Sequence, residues 1–168
     1  MNSTKPLILV VNDDGINAPG ILALIAVARE FGKVVVVAPD KPQSGMGHAI
    51  TLDSTLHIKK VIIEGVTAYS CSGTPVDCVK IAVNKLLDRK PDLIVSGINH
   101  GSNSSINVIY SGTMSAALEG SLEGIPSVGF SLLSHSVEAD FTASQHYAKK
   151  IITQLLQHNY TKNLCLNV

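Results

Sequence analysis

Tryptophan is absent from this 168-residue chain, and arginine occurs only twice, as Arg29 and Arg89. Charged residues make up only 15%, and thirteen basic residues balance thirteen acidic ones without a long run of either sign. That balance argues against nucleic-acid backbone binding as the main activity, because a polyanion partner needs a basic stripe to draw it in. The apolar runs are too short to span a bilayer. The opening Met-Asn-Ser-Thr-Lys-Pro leads straight to a strand, with no basic segment and signal-type apolar stretch ahead of it. Three cysteines, Cys71, Cys78 and Cys165, lack the CxxC spacing of a metal site. They read as reduced, mostly buried thiols of a cytoplasmic protein, with a Cys71–Cys78 redox pair as the minority alternative.

Several reaction signatures are missing as well. There is no GxxxxGK[ST], no complete GxGxxG after the first strand, no GxSxG elbow and no Cys-x5-Arg loop. An Asp-x-Asp pair for an aspartyl-phosphate intermediate is also lacking, since Asp13 and Asp14 are contiguous.

What remains is 45% apolar, enough for a 168-residue chain to bury on the order of 70% of its unfolded surface in one domain. Leu7 to Val11 is an unbroken apolar run rich in Val and Ile, as a parallel strand covered on both faces requires. It gives way to Asn12, Asp13, Asp14 and Gly15, where an open α/β sheet puts its ligand crevice. An acid at a turn needs no special reason, but two in succession repel each other. A shared proton, a basic side chain or a bound cation must offset that repulsion.

Ile21 to Phe31 carries helical periodicity with Ile21, Leu24, Ile25 and Ala28 on one face, and Lys33 to Ala38 reads as a second strand. Together they make a β-α-β unit that should close right-handed. A loop over 39–47 follows. From Ile50 to Ser70 alternation with β-branched residues around Glu64-Gly65 suggests short antiparallel strands inserted at the sheet edge. Thr74, Pro75 and Asp77 form a helix start of capping-box type, for a helix to about Leu87 with Val76, Val79, Val83 and Leu86 inward. Leu93 to Val95 reads as a third strand, Ser96 to Ser105 as a polar loop, Met114 to Glu123 as a small-residue helix and Ser127 to Ser131 as a fourth strand. A helix from about Asp140 to Asn159 and a strand from Leu164 to Val168 close the chain. The expected fold is one α/β domain over 1–168, a three-layer, doubly wound, mainly parallel Rossmann-like sheet with a small β insertion at about 50–70.

Three polar loops then share one rim. They offer Asp13, Asp14, Ser44, Asn99 and the hydroxyls near Ser111 and Thr113, all oxygen donors, a set that selects Mg²⁺, Mn²⁺ or a similar hard divalent cation. His48 and His100 fall in the same loops without metal-type spacing, so they read as hydrogen-bonding or substrate-contacting residues. Both arginines lie in or after helices, away from the rim. A phosphate there would be held by the metal, by N–H groups at the start of the helix after Tyr110, and by Ser, Thr and Asn. Direct attack by water activated on one cation is the chemistry these residues favour. A binding protein for nucleotides or phosphate without efficient turnover is the alternative. A structural subunit with solvated loops is the third reading.

Five blocks in order carry a resemblance over nearly the whole chain. They are Asn12-Asp13-Asp14-Gly15, Ala38-Pro39 with Ser44-Gly45, Ser72-Gly73-Thr74-Pro75 with Asp77, Ser96-Gly97-Ile98-Asn99 with Gly101 and Asn103, and Tyr110-Ser111-Gly112-Thr113 with Ala116-Ala117 and Glu119-Gly120. The chain resembles the survival protein SurE family of metal-dependent nucleotidases. The resemblance implies hydrolysis of nucleoside 5′- and 3′-monophosphates, with short polyphosphate as a further substrate, by a cytoplasmic homodimer or tetramer. It implies one divalent cation on Asp13, Asp14, Ser44 and Asn99, with Asp13 and Asp14 catalytic and Asn103, Ser111, Gly112, Thr113 and His48 toward the substrate. Ser105 and Asn107 stand where many relatives have a small residue and an acid. Leu166-Asn167-Val168 resembles the opening of the family's Asn-Val-Asn-x-Pro segment, so the resemblance also implies that a C-terminal oligomerisation segment is missing here.

Overall fold

The computed structural model describes residues 5–136, 138–158, 160 and 163–168. Strand β1 (Leu7–Val11) is buried along its whole length and sits at the middle of a seven-stranded sheet. Its side chains alternate between two cores. Ile8 and Val10 join Ile21, Leu24, Ala148 and Ile152 on one face. Leu7, Leu9 and Val11 join Cys78, Val79 and Ala116 on the other. A strand sandwiched this way has no polar face, which is why its sequence shows none.

Helix α1 (Pro19–Ala28) begins two residues before the expected Ile21, because Pro19 takes the first helical position where its missing N–H is no loss. It also ends before the expected Phe31; Glu30 and Phe31 bond back over three residues instead. Strand β2 (Lys33–Pro39) pairs in parallel with β1.

The edge insertion differs from its expected form. Ile50 to His57 form no strand. Strands β3 (Ile58–Ile63) and β4 (Val66–Cys71) make a hairpin, but only β3 is antiparallel; β4 pairs in parallel with β2 and belongs to the main sheet. Glu64 and Gly65 both have positive φ, 50° and 74°, the turn geometry that matches the twist of a two-residue hairpin. Alternation marks a half-exposed strand but says nothing about its direction, so the sequence could not assign β4 to the main sheet.

Helix α2 (Pro75–Ile81) starts with the anticipated reciprocal cap. Thr74 Oγ1 accepts from the Asp77 N–H at 3.1 Å, and Asp77 Oδ2 accepts from the Thr74 N–H at 2.9 Å. It loosens into a π turn (Ala82–Leu86), so Val83 and Leu86 are only half-buried. Strand β5 (Leu93–His100) is longer than the expected Leu93–Val95. Ser96 to His100 are strand and not loop, with a register shift against the next strand between Ser96 and Asn99 and a cis peptide bond at Gly97-Ile98. A bulged strand with Ser, Gly and Asn in it has the composition of a loop.

A 3-10 turn (Ser105–Ile109) precedes helix α3 (Gly112–Leu122), capped by Ser111. Strand β6 (Ser127–Leu132), helix α4 (Thr142–Gln157) and strand β7 (Cys165–Asn167) follow. The expected helix limit at Asn159 lies outside the described residues.

The order across the sheet is β3-β4-β2-β1-β5-β6-β7, with only β3 reversed. Helices α1 and α4 pack together on one face; α2 and α3 pack together on the other. The step from β1 to β2 and the step from β6 to β7 run in opposite directions across the sheet, yet α1 and α4 share a face. Their crossovers therefore have opposite hands. With β1-α1-β2 right-handed as the general rule requires, β4-α2-β5 and β5-α3-β6 are right-handed too, and β6-α4-β7 is the rare left-handed exception.

Candidate active site

The carboxyl ends of β1, β2 and β5, three neighbours at the centre of the sheet, deliver most of the candidate residues to one rim. Asp13 and Asp14 follow β1 directly. Asn12 turns the chain out of the strand by donating from Nδ2 to the Gly15 carbonyl at 2.8 Å. Asp13 is buried, and its Oδ1 accepts from Thr113 Oγ1 at 2.5 Å. Burial pushes its pKa from 3.8 to about 6; the charge of Asp14 adds to the rise, and the bonds from Thr113 oppose it. Asp14 is also raised, again chiefly by burial, against the opposing His100 N–H at 3.4 Å and the His100 ring. Two adjacent carboxylates thus share a poorly solvated corner in which neither has a basic side chain as hydrogen-bond or ion-pair partner among the described residues.

Helix α3 approaches that corner end-on. A Cβ added to Gly112 would lie 2.6 Å from Asp13 Cβ and 2.9 Å from its Oδ2, so only glycine lets the helix start this close to the acid. Ser111 caps the helix by accepting from the Met114 N–H at 3.0 Å and donates its own proton to Asn103 Oδ1 at 2.9 Å. Asn99 donates from Nδ2 to the same Asn103 oxygen at 3.0 Å and to the Gly101 carbonyl at 3.1 Å. The Asn99 side-chain oxygen is engaged by no hydrogen bond among the described residues. The Asn103 amide nitrogen is buried without a partner, an unusual cost for a group of that kind. Asn103 is further tied through its carbonyl to Asn167 Nδ2 at 2.8 Å.

Six of the nine residues singled out from the sequence, Asp13, Asn99, Asn103, Ser111, Gly112 and Thr113, therefore meet in one continuous set of contacts, with Asp14 adjoining through His100. Ser44 is exposed on the loop after β2, one residue past the point where the Gln43 N–H donates to the Asp13 carbonyl at 2.7 Å. His48 stands apart. Its Nε2 pairs with Glu119 Oε2 at 2.9 Å, and Lys80 Nζ holds the other Glu119 oxygen at 3.0 Å. Glu119, quoted only as part of the fifth block, and Lys80 receive no role from the sequence, although an acid in the middle of a helix of small residues is a usable signal. Asp77 was read only as a cap, yet it also holds the end of the Ser44 loop through Thr51 Oγ1 at 2.6 Å.

The donor set suits a hard cation. Carboxylate, hydroxyl and amide oxygens surround an acid pair whose charge is otherwise unbalanced, and no group of three or more His, Cys, Asp or Glu able to hold a metal occurs among the described residues. The cysteines are free thiols. Arg29 binds the Glu64 carbonyl and Arg89 pairs with Asp92 beside the amino end of β1, so both lie at the opposite rim. A cleft of about 620 Å³ also opens there, between Lys33, Tyr69 and Leu87, away from these acids. Among the described residues no helix is long and apolar enough to cross a membrane.

Comparison with known proteins extends these observations. The family model for survival protein SurE matches residues 8–168. The 5′-nucleotidase SurE of Flavobacterium psychrophilum is 65% identical over 98% of this chain and 65% of its own length, and that of Flavobacterium johnsoniae is 62% identical over 100% and 66%. The crystal structure of the SurE protein from Aquifex aeolicus superimposes with a TM-score of 0.87 at 39% identity, covering 96% of this chain and 64% of that one. The chain thus spans about 65% of the length of the curated relatives it matches. With the acid pair, the glycine-started helix and the doubly wound sheet in place, the chain belongs to the survival protein SurE family.

Proposed function

We propose that this chain is the catalytic part of a divalent-metal-dependent phosphomonoesterase acting on nucleoside 5′-monophosphates, and on 3′-monophosphates and short polyphosphate as further substrates. One observation carries the reading: an acid pair with no basic hydrogen-bond or ion-pair partner among the described residues, Asp13 buried and Asp14 half-buried, meets the amino end of helix α3, where Gly112 lies too close to Asp13 to carry a side chain. Like charge at one side and the positive end of a helix at the other suit a cation and an anion bound next to each other.

Asp13, Asp14, Ser44 and Asn99 would hold the cation. When bound, it supplies charge neutralisation for the phosphoryl group and acidifies a water molecule. The protein's own part is positioning. Thr113 fixes one oxygen of Asp13 by donating its hydroxyl proton, which leaves the other oxygen available. Asn99 spends its amide protons on Asn103 and Gly101, presenting an oxygen and not a nitrogen. The Gly112 N–H, with the Ser111 hydroxyl and the unpartnered Asn103 amide, would receive the phosphate in place of an arginine fork. The reading includes a cytoplasmic homo-oligomer.

Phosphate release from AMP by this chain tests it. Turnover should appear with Mn²⁺ or Mg²⁺, vanish with EDTA, and fall by at least ~10³-fold in Asp14→Asn, the scale of losing one charge-stabilising group. Release that persists in EDTA would refute the proposal, as would full activity in that variant. Binding of AMP without release would select the non-turnover reading.

A further inference from the structure

At the amino ends of the strands, away from the acid pair, the cleft of about 620 Å³ joins an apolar floor to a cationic rim. Leu7, Val35 and Tyr69 supply the floor on the face that carries helix α2, and Leu87 walls it just past the π turn. Cross-strand partners share a face of the sheet. Lys33 stands opposite Leu7 and Lys60 opposite Tyr69, so both lysines lie on that side. Lys5 and Arg89 complete the set. The Lys33 N–H donates to the Pro6 carbonyl at 2.7 Å and Arg89 Nη2 to the Lys5 carbonyl at 3.4 Å, which gathers three cations at one end. Asp88 is the acid of the lining, and Asp92 pairs with Arg89. With both acids counted, two positive charges remain in excess, in a chain whose formal net charge is zero. Among the described residues Lys5, Lys33 and Lys60 make no ion pair.

A cleft lined by one sign of charge concentrates anions, and the arrangement of this one restricts which. Lysine ammonium groups are point charges suited to phosphate, and the half-buried Tyr69 adds aromatic surface for a flat ring. Tyr69 pairs with Val37, four residues beyond Lys33 on β2, so about 13 Å of strand separates the aromatic end from the cationic one. A fitting ligand carries several negative charges at one end and a flat apolar body at the other, and the volume is that of an ordinary small-molecule site. We propose that this cleft binds a nucleoside polyphosphate, its phosphates on Lys5, Lys33 and Arg89 and its base against Tyr69 beside Lys60. The acid pair and the start of α3 lie at the opposite rim, so the nucleotide is held here and not cleaved. The site does not rest on the activity proposed above.

Titration calorimetry with ATP on this chain, in EDTA and at low salt, reads the site directly. One ATP should bind per chain, about tenfold or more tighter than inorganic tripolyphosphate, because only the nucleotide reaches Tyr69. The double variant Lys33→Gln, Lys60→Gln should weaken ATP by about tenfold or more, the scale of one lost charge-assisted hydrogen bond. Both lysines are exposed, so the variant leaves the core untouched. Amide NMR shifts on adding ATP should cluster at Lys33, Thr67, Tyr69 and Leu87. Absence of ATP binding overturns the proposal, as does an affinity no better than that of tripolyphosphate, which would make the cleft a general anion patch. So does binding that the double variant leaves unchanged, or shifts centred on Asp14 and Gly112, which would put ATP in the candidate active site instead. A wild type inactive toward AMP would end the activity reading and leave this measurement intact.

Discussion

Replacing Asp13 by Asn should stabilise the metal-free protein, and the gain should depend on pH in a way that only a buried carboxylate produces. Asp13 titrates near 6 in the fold, against 3.8 for an ordinary aspartate. The raised value means that the fold favours the protonated form. Well below pH 3.8 both folded and unfolded chains carry the proton and the acid costs nothing. Between pH 3.8 and 6 the unfolded chain ionises while the folded protein, in which the group is 3% exposed, still holds the proton, so the penalty grows across that range and levels off above it at about 3 kcal/mol. Asparagine has the same shape, can accept the Thr113 hydroxyl proton and never ionises. In EDTA the difference between Asp13→Asn and wild type should therefore widen by about 2–3 kcal/mol from pH 4 to pH 7.5, roughly 5–10 °C in unfolding midpoint for a chain of this length. Calorimetry or denaturant titration at the two pH values measures it. Manganese at a hundred times its dissociation constant should then add about 2.7 kcal/mol to the wild type alone, nearly closing the gap. A difference that does not change with pH would refute the argument, as would an Asp13→Asn protein less stable than wild type at pH 7.5 in EDTA.

Gly112→Ala places a Cβ 2.6 Å from that of Asp13; the helix start must retreat, costing about 1–3 kcal/mol, and manganese affinity measured by titration calorimetry should fall with it. Gly20→Ala drives a Cβ to 2.0 Å from the Ile98 carbonyl oxygen, where helix α1 rests on the bulged part of β5. A backbone-on-backbone clash cannot be relieved by a rotamer change, so this variant should lose about 3 kcal/mol or more, seen as a lowered denaturation midpoint or recovery in the insoluble fraction. Thr74→Ala removes one half of the reciprocal cap and a bond to the Ala49 carbonyl; about 1–2 kcal/mol should be lost, with no change in the pH dependence assigned to Asp13.

Much of this was legible because burial writes itself into composition. Leu7–Val11 is apolar throughout because both faces are covered, and the break to Asn12-Asp13-Asp14 coincides with the sheet rim. Thr74, Pro75 and Asp77 announced α2 through local bonds alone. What was hidden depends on partners distant in sequence. Ser96 to His100 look like a loop, yet they continue β5 because β1 and β6 flank them. The direction of β4, the left-handed step to β7 and the Lys80–Glu119–His48 chain all arise from contacts across the sheet or between helices, which no local pattern encodes. His48 was marked as a substrate contact, while the acid that immobilises it, 71 residues away, was not.

The arrangement of β2, β1 and β5 at the sheet's centre has a consequence for how such a protein can diversify. The carboxyl ends of these three and the loops after them supply the acids, the hydroxyl loop and the amides, and α3 starts in the same neighbourhood. The β3–β4 hairpin lies on one flank and β7 on the other; among the described residues β7 reaches the site through the bond from Asn167 to the Asn103 carbonyl. Lineages can lengthen, shorten or decorate those flanks, acquiring new neighbours in an assembly, without redesigning the reaction centre.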